Sequence, residues 1–247
     1  MKKIFNWQTL LGIILVLMST LGYLIHYFLF RDAHHIFIYL IGDIAFVFLE
    51  VLIVTMILHK LLVHREKQAI LKKLNMVIGT FFIEAGTELL KKCSVFDPEG
   101  AKISEKLNVA VGWTDKEFMV IKREIKSYEY NLDYKKGDLN EMKDFLSEKR
   151  AFCLNLIENP NLLEHESFTD LLWAVFHLTD ELLHRKDLGD LPDTDYKHIA
   201  GDMKRAYTLL ISEWLSYMEH LKRDYPYLFS LAIRTNPFNP DASIEVT

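Results

Sequence analysis

The sequence predicts an all-α integral membrane protein with a two-helix transmembrane hairpin, a helical juxtamembrane stalk and a cytoplasmic helical bundle. Three observations predict it. Two apolar stretches near the N-terminus are each about as long as the ~20 residues that cross a bilayer. No proline occurs before Pro98, so the second stretch can continue as helix beyond its apolar part. The remaining chain repeats apolar residues at helical spacing and almost never alternates as a strand would.

The first span, about 7–30, reads WQTLLGIILVLMSTLGYLIHYFLF and contains no Asp, Glu, Lys or Arg. It follows Lys2 and Lys3 but is too long for a signal-peptide core, and no small-x-small cleavage site follows, so it reads as a retained anchor. The second span, about 36–58, reads IFIYLIGDIAFVFLEVLIVTMIL. RDAHH alone separates the two, which implies a tight hairpin. Basic residues orient it: Lys2 and Lys3 precede the first span, and Lys60, Arg65, Lys67, Lys72 and Lys73 follow the second. Both termini are therefore expected in the cytoplasm of a cell whose inner membrane holds the hairpin.

Charge divides along the chain. Residues 1–75 carry eight Lys and Arg against four Asp and Glu, and the remainder carries 21 against 30. The basic collar of Lys60, Arg65, Lys67, Lys72 and Lys73 suits anionic lipid headgroups, at roughly 1 kcal/mol per residue. The acidic remainder argues against nucleic acid as a partner. Cys93 and Cys153, far apart in the chain, are expected as reduced thiols.

Beyond the second span, residues 61–92 keep Leu62, Ile70, Leu74, Val77, Phe81, Ala85 and Leu89 on one helical stripe. Gly79 and Gly86 share a face there, which suits a bend or a close helix contact. The stripe fits either a packed helix or an oligomerising stalk. CSVFDPEG then breaks the chain ahead of a bundle over 101–235. Thr114 and Glu117 form a capping box with Trp113 as its staple, starting a helix near Asp115 that runs to about Asn131. KKGD is a turn, the next helix ends before NPN, and Ser167 is placed to cap a helix reaching about Lys186. Asp193 or Thr194 starts a long helix to about Arg223, and a tail over 236–247 ends in a frayed DASIEVT. The aromatics Trp214, Tyr217, Tyr225, Tyr227 and Phe229 read as packing rather than a ligand cage.

One soluble cluster suggests a metal ion. Glu181 and His184 form E-x-x-H, and Asp195 and His198 form D-x-x-H across a short helix hairpin. Folding that hairpin about residue 190 places Glu181 level with Ile199 and His184 level with Tyr196. Helical phase argues for a solvated face instead. His177, Glu181 and His184 fall away from the apolar stripe of Leu171, Val175, Leu178 and Leu182. Asp195, His198, Asp202 and Arg205 likewise avoid the stripe of Ile199, Met203, Tyr207 and Leu210. Phosphate-binding, dinucleotide, zinc-protease, dithiol and nucleophile-elbow motifs do not occur.

Asp43 and Glu50 stand inside the second span, where burying a charge costs several kcal/mol. Seven residues apart, they share a helix face. Hairpin register places Asp43 level with Tyr23, with His26 one turn further out, so a hydrogen bond within the hairpin is expected to satisfy it. Glu50 has only Ser19 and Thr20 about a turn away. Two helices cannot enclose it, which implies a homo-oligomer. Three readings of function follow. The first is a membrane-anchored regulatory or interaction protein, with a cytoplasmic protein or small ligand as partner. The second is a small cation channel or proton-linked pore lined by Glu50 and Asp43, and the third a membrane-tethered metal-dependent enzyme.

Overall fold

The computed structural model describes residues 7–245; Lys2 and Lys3, which helped orient the hairpin, lie outside the described residues. Those residues contain helices and no strand. The chain divides into two compact units, Met1–Arg65 and Glu66–Thr247.

In the first unit, α1 (Trp7–Phe30) joins the start of α2 (Ala33–Phe81) through Arg31 and Asp32 alone. This connection is tighter than RDAHH suggested, because α2 begins at Ala33. Arg31 adopts a left-handed φ of 49° and its N–H donates to the Tyr27 carbonyl, closing α1. Asp32 Oδ1 accepts from the His35 N–H at 3.2 Å and opens α2. Both helices are long and apolar enough to cross a membrane. Their large apolar side chains lie open, Val16 at 66% and Phe48 at 76%.

The second unit begins within α2, where the helix starts to bury its stripe. Ile70 and Val77 are partly covered, and Leu74, Ile78 and Phe81 are buried. The segment expected as a separate stalk is thus part of the bundle core. Leu62, further back on the same stripe, stays exposed. A single π-helical turn, Phe82–Gly86, separates α2 from α3 (Thr87–Val95). The two glycines act as contact points. A Cβ on Gly86 would stand 2.7 Å from both the Phe81 and Phe82 rings, and one on Gly79 would meet Tyr217 at 3.4 Å. Phe82 stacks on that same tyrosine, 5.2 Å between centroids.

Short helix α4 (Gly100–Lys106), which the pattern did not anticipate, follows the break at Pro98. Helix α5 (Asp115–Ser127) opens with the expected capping box: the Glu117 N–H donates to Thr114 Oγ1, and the Thr114 N–H donates to Glu117 Oε2. Trp113 packs edge-on against Phe118, completing the staple. Asp138 caps α6 (Leu139–Ile157). Helix α7 (Glu166–His184) is capped by His165, not Ser167, because the His165 ring accepts the Phe168 N–H while Ser167 lies inside the first turn. Helices α8 (Asp193–Asp224) and α9 (Pro226–Arg234) complete the bundle.

Helix α8 is its centre, packing against α3, α5, α7 and α9. Its stripe of Ile199, Met203, Tyr207, Leu210, Trp214, Met218 and Leu221 is buried throughout. Of the aromatic series, Trp214 and Phe229 are core, Tyr217 and Tyr225 are half-buried, and Tyr227 is exposed. The tail is held in part, since Arg234 Nη1 donates to the Ile244 carbonyl at 2.8 Å. Cys93 and Cys153 are free and buried, and burial pushes the Cys93 thiol up to about 12.

Two glycines test these placements. In Gly137→Ala the new Cβ meets the Phe96 ring at 2.5 Å, so a loss of ~1–3 kcal/mol is expected. Gly201→Ala meets nothing within 4 Å in the exposed interior of α8 and should gain ~0.5–1 kcal/mol. Urea unfolding of the full chain in detergent measures both, and equal effects of the two would contradict the packing.

Candidate metal centre

Helices α7 and α8 run antiparallel across a short connection, and three polar pairs mark their register. His177 faces Asp202, Glu181 faces His198, and Arg185 faces Asp195. Each helix contributes residues four apart, a separation of about 40° in azimuth that keeps both on one face, one turn apart. His177-x-x-x-Glu181 thereby meets His198-x-x-x-Asp202.

One ligand-capable atom from each of these four residues lies within 4.8 Å of the other three. His177 Nε2 is 3.3 Å from Asp202 Oδ2 and 3.9 Å from Glu181 Oε1. His198 Nε2 is 3.4 Å from Asp202 Oδ2 and 3.5 Å from Glu181 Oε2. The two imidazoles form the open rim, with side chains 46% and 52% exposed, and Asp202 forms the floor at 4%. Asp202 Oδ1 accepts from Arg205 Nη1 at 3.1 Å. Asp202 Oδ2 is buried and has no hydrogen-bond partner, although both Nε2 atoms are within ion-pair distance. Distance brings them together but direction does not.

Arg185 closes one end of the cluster. Its Nη1 donates to Glu181 Oε2 at 2.6 Å and also to the Glu181 carbonyl. Its Nε and Nη2 hold Asp195 in a two-pronged pair at 2.8 and 2.7 Å. The guanidinium keeps both carboxyls below the usual carboxylate range, and the two acids raise the arginine in turn.

Of the four residues singled out by E-x-x-H and D-x-x-H, Glu181 and His198 enter the cluster while His184 and Asp195 do not. His184 Nδ1 donates to the Asp180 carbonyl of its own helix at 2.7 Å, and Asp195 is occupied by Arg185. His177 and Asp202 take their places. The two H-x-x-x-acid pairs were visible in the sequence and mark them. Nor is the face wholly solvated, because Asp202 is enclosed where the two polar stripes meet.

The first unit gathers a second polar group. Tyr23, His26 and Asp43 line a cavity of about 570 Å³ together with Ser19, Gly22 and His35. The direct hydrogen bond expected for Asp43 is not formed among the described residues. His26 Nδ1 is buried without a partner, and its ring lies 6.0 Å from that of His35, nearly parallel. Glu50 is exposed and outside that lining. The hydroxyl of Thr20, one of its two nearest polar residues on α1, instead donates to the Val16 carbonyl. Lys60, Arg65, Lys67, Lys72 and Lys73 are all exposed on α2.

The Arg185 pairs carry a pH signature. Both acids have depressed folded pKa values, so their stabilisation is present above about pH 4.3 and is lost as pH falls through the folded values. Arg185→Gln is expected to lower the melting temperature at pH 7, with the gap from wild type closing below about pH 4. Thermal melts across that range measure it, and a gap independent of pH would refute the pairing.

Two family models match the chain: "MJ1433, N-terminal helical domain" over residues 2–62, and "Uncharacterized protein MJ1433, C-terminal helical domain" over residues 70–234. A protein of Methanocaldococcus jannaschii, Uncharacterized protein MJ1433, is 45% identical over 234 residues, covering 95% of this chain and 94% of that one. No solved structure matches. With both models matched in order and a relative this similar along nearly its whole length, the chain belongs to the MJ1433 family.

Proposed function

We propose that the protein is a homo-oligomeric, membrane-anchored regulatory or interaction protein whose helical bundle works in the cytoplasm. The observation that carries this reading is the contrast between the two units. The bundle buries a continuous core, whereas α1 and the apolar part of α2 leave side chain after side chain uncovered. At roughly 25 cal/mol per Å² such a surface does not remain in water; a bilayer is the solvent that matches its length and composition. The five exposed basic residues on α2 then suit the anionic surface beside it.

Glu50 supports the oligomeric part. A carboxylate among apolar side chains in a bilayer costs several kcal/mol, and its own hairpin provides no partner for it. A second copy presenting the same face supplies one. A cation or proton-linked pore is the second reading, favoured by the polar cavity around Asp43 and His26 on the face that Asp43 shares with Glu50.

The full chain is expected in the membrane pellet after a carbonate wash, and in nanodiscs at a mass above one copy. Release by carbonate would end the anchored reading, and a monomer would end the oligomeric one. Ion flux from liposomes that Glu50→Gln abolishes without changing the oligomer would favour the pore. No flux from intact protein would leave the interaction reading.

A further inference from the structure

We infer that the bundle holds one divalent first-row transition-metal ion between His177, Glu181, His198 and Asp202, a binding function that goes beyond membrane anchoring. Donor spacing is the first argument. Metal–nitrogen and metal–oxygen bonds of ~2.0–2.2 Å at tetrahedral angles put neighbouring donors about 3.3–3.6 Å apart. The distances from Asp202 Oδ2 to the two imidazoles are 3.3 and 3.4 Å, Glu181 reaches His198 through Oε2 at 3.5 Å and His177 through Oε1 at 3.9 Å, and one donor atom from each residue lies within 4.8 Å of the other three. The four residues already stand near the edges of a coordination polyhedron, before any ion draws them together.

Direction is the second argument, and it is independent. A buried carboxylate oxygen without a hydrogen bond costs about 1–3 kcal/mol or more. Asp202 Oδ2 is in that position with two imidazole nitrogens 3.3 and 3.4 Å away, so simple His–Asp hydrogen bonding does not explain the arrangement. A cation placed among the donors satisfies Oδ2 and takes the lone pair of each Nε2 at once.

The donor set names the class of ion. Two imidazoles with two carboxylates and no sulfur suit Zn²⁺, Fe²⁺, Mn²⁺ or Co²⁺. Mg²⁺ and Ca²⁺ prefer all-oxygen shells. The exposed rim leaves the ion open to water on its outer side, unlike the closed shell of a structural zinc site. Arg185 is the positioning residue: it fixes the Glu181 carboxylate from the side while Asp195 holds the guanidinium.

The test uses the tag-free full-length protein in detergent, stripped with chelator and then titrated with Co²⁺ or Zn²⁺. The expected result is about one equivalent bound, with visible absorption of tetrahedral or five-coordinate Co²⁺. His177→Ala and His198→Ala, both on the exposed rim, should each weaken binding at least ~10-fold. His184→Ala should leave it unchanged, which separates this cluster from general histidine binding. Less than about a tenth of an equivalent of either metal, or equal binding by all three variants, would overturn the site.

Discussion

Everything in the bundle depends on burying one face of α8. Its apolar stripe runs from Ile199 to Leu221 without an exposed member, and α3, α5, α7 and α9 each cover part of it. Seven buried large residues, at roughly 1.5–3 kcal/mol each for transfer from water, outweigh any single polar contact on the surface. That burial fixes the rotation of α8 about its axis. Once α7 packs its own stripe against it, the polar stripes of both helices have no freedom left and must meet along one edge. The His177, Glu181, His198 and Asp202 cluster is therefore a consequence of core packing, held in place by residues that never touch it.

The same logic explains which features the sequence disclosed. Local chemistry was legible: Thr114 and Glu117 cap α5 as their spacing required, and the KKGD turn precedes α6. The register of the α7–α8 hairpin was legible too, since folding near residue 190 placed Glu181 beside Ile199 and the structure pairs it with the adjacent His198. The membership of the cluster differs from the E-x-x-H and D-x-x-H pattern because its pairs are spaced by four rather than three. Residues three apart turn about 60° away from each other and residues four apart about 40°, so H-x-x-x-E and H-x-x-x-D converge better across a straight seam. Burial of Asp202 was not legible, because a polar stripe looks solvated until a second polar stripe closes over it. The π turn at Phe82–Gly86 was not legible either: there Phe81 packs on Phe168, Phe82 stacks on Tyr217, and both rings occupy the space that Gly86 leaves.

The two units obey opposite rules with similar helices. Leu62 and Leu74 belong to one stripe of α2, yet the first is 64% exposed and the second 1%. Sequence periodicity cannot separate them, for both positions satisfy the same spacing. What differs is the partner. From Glu66 on, the helix belongs to the bundle, with Gly79 against Tyr217 and Asn75 bonded to His220 of α8, whereas its earlier part groups with α1. The exposed apolar surface and Glu50 on it are the features on which the proposed anchoring and self-association rest.

Charge balance ties Arg185 to the metal proposal. Without an ion, Glu181 and Asp195 share one guanidinium, and Asp202 has Arg205 on Oδ1 with Oδ2 left unmatched. The cluster thus holds more negative charge than its fixed cations neutralise, and the surplus is concentrated on the least exposed oxygen. A divalent cation bound among the four residues offsets it directly. Arg185 does not compete for that centre, because it approaches Glu181 from the side of Asp195 and leaves Oε1 facing His177. The arginine orders the acid and leaves the coordination point free.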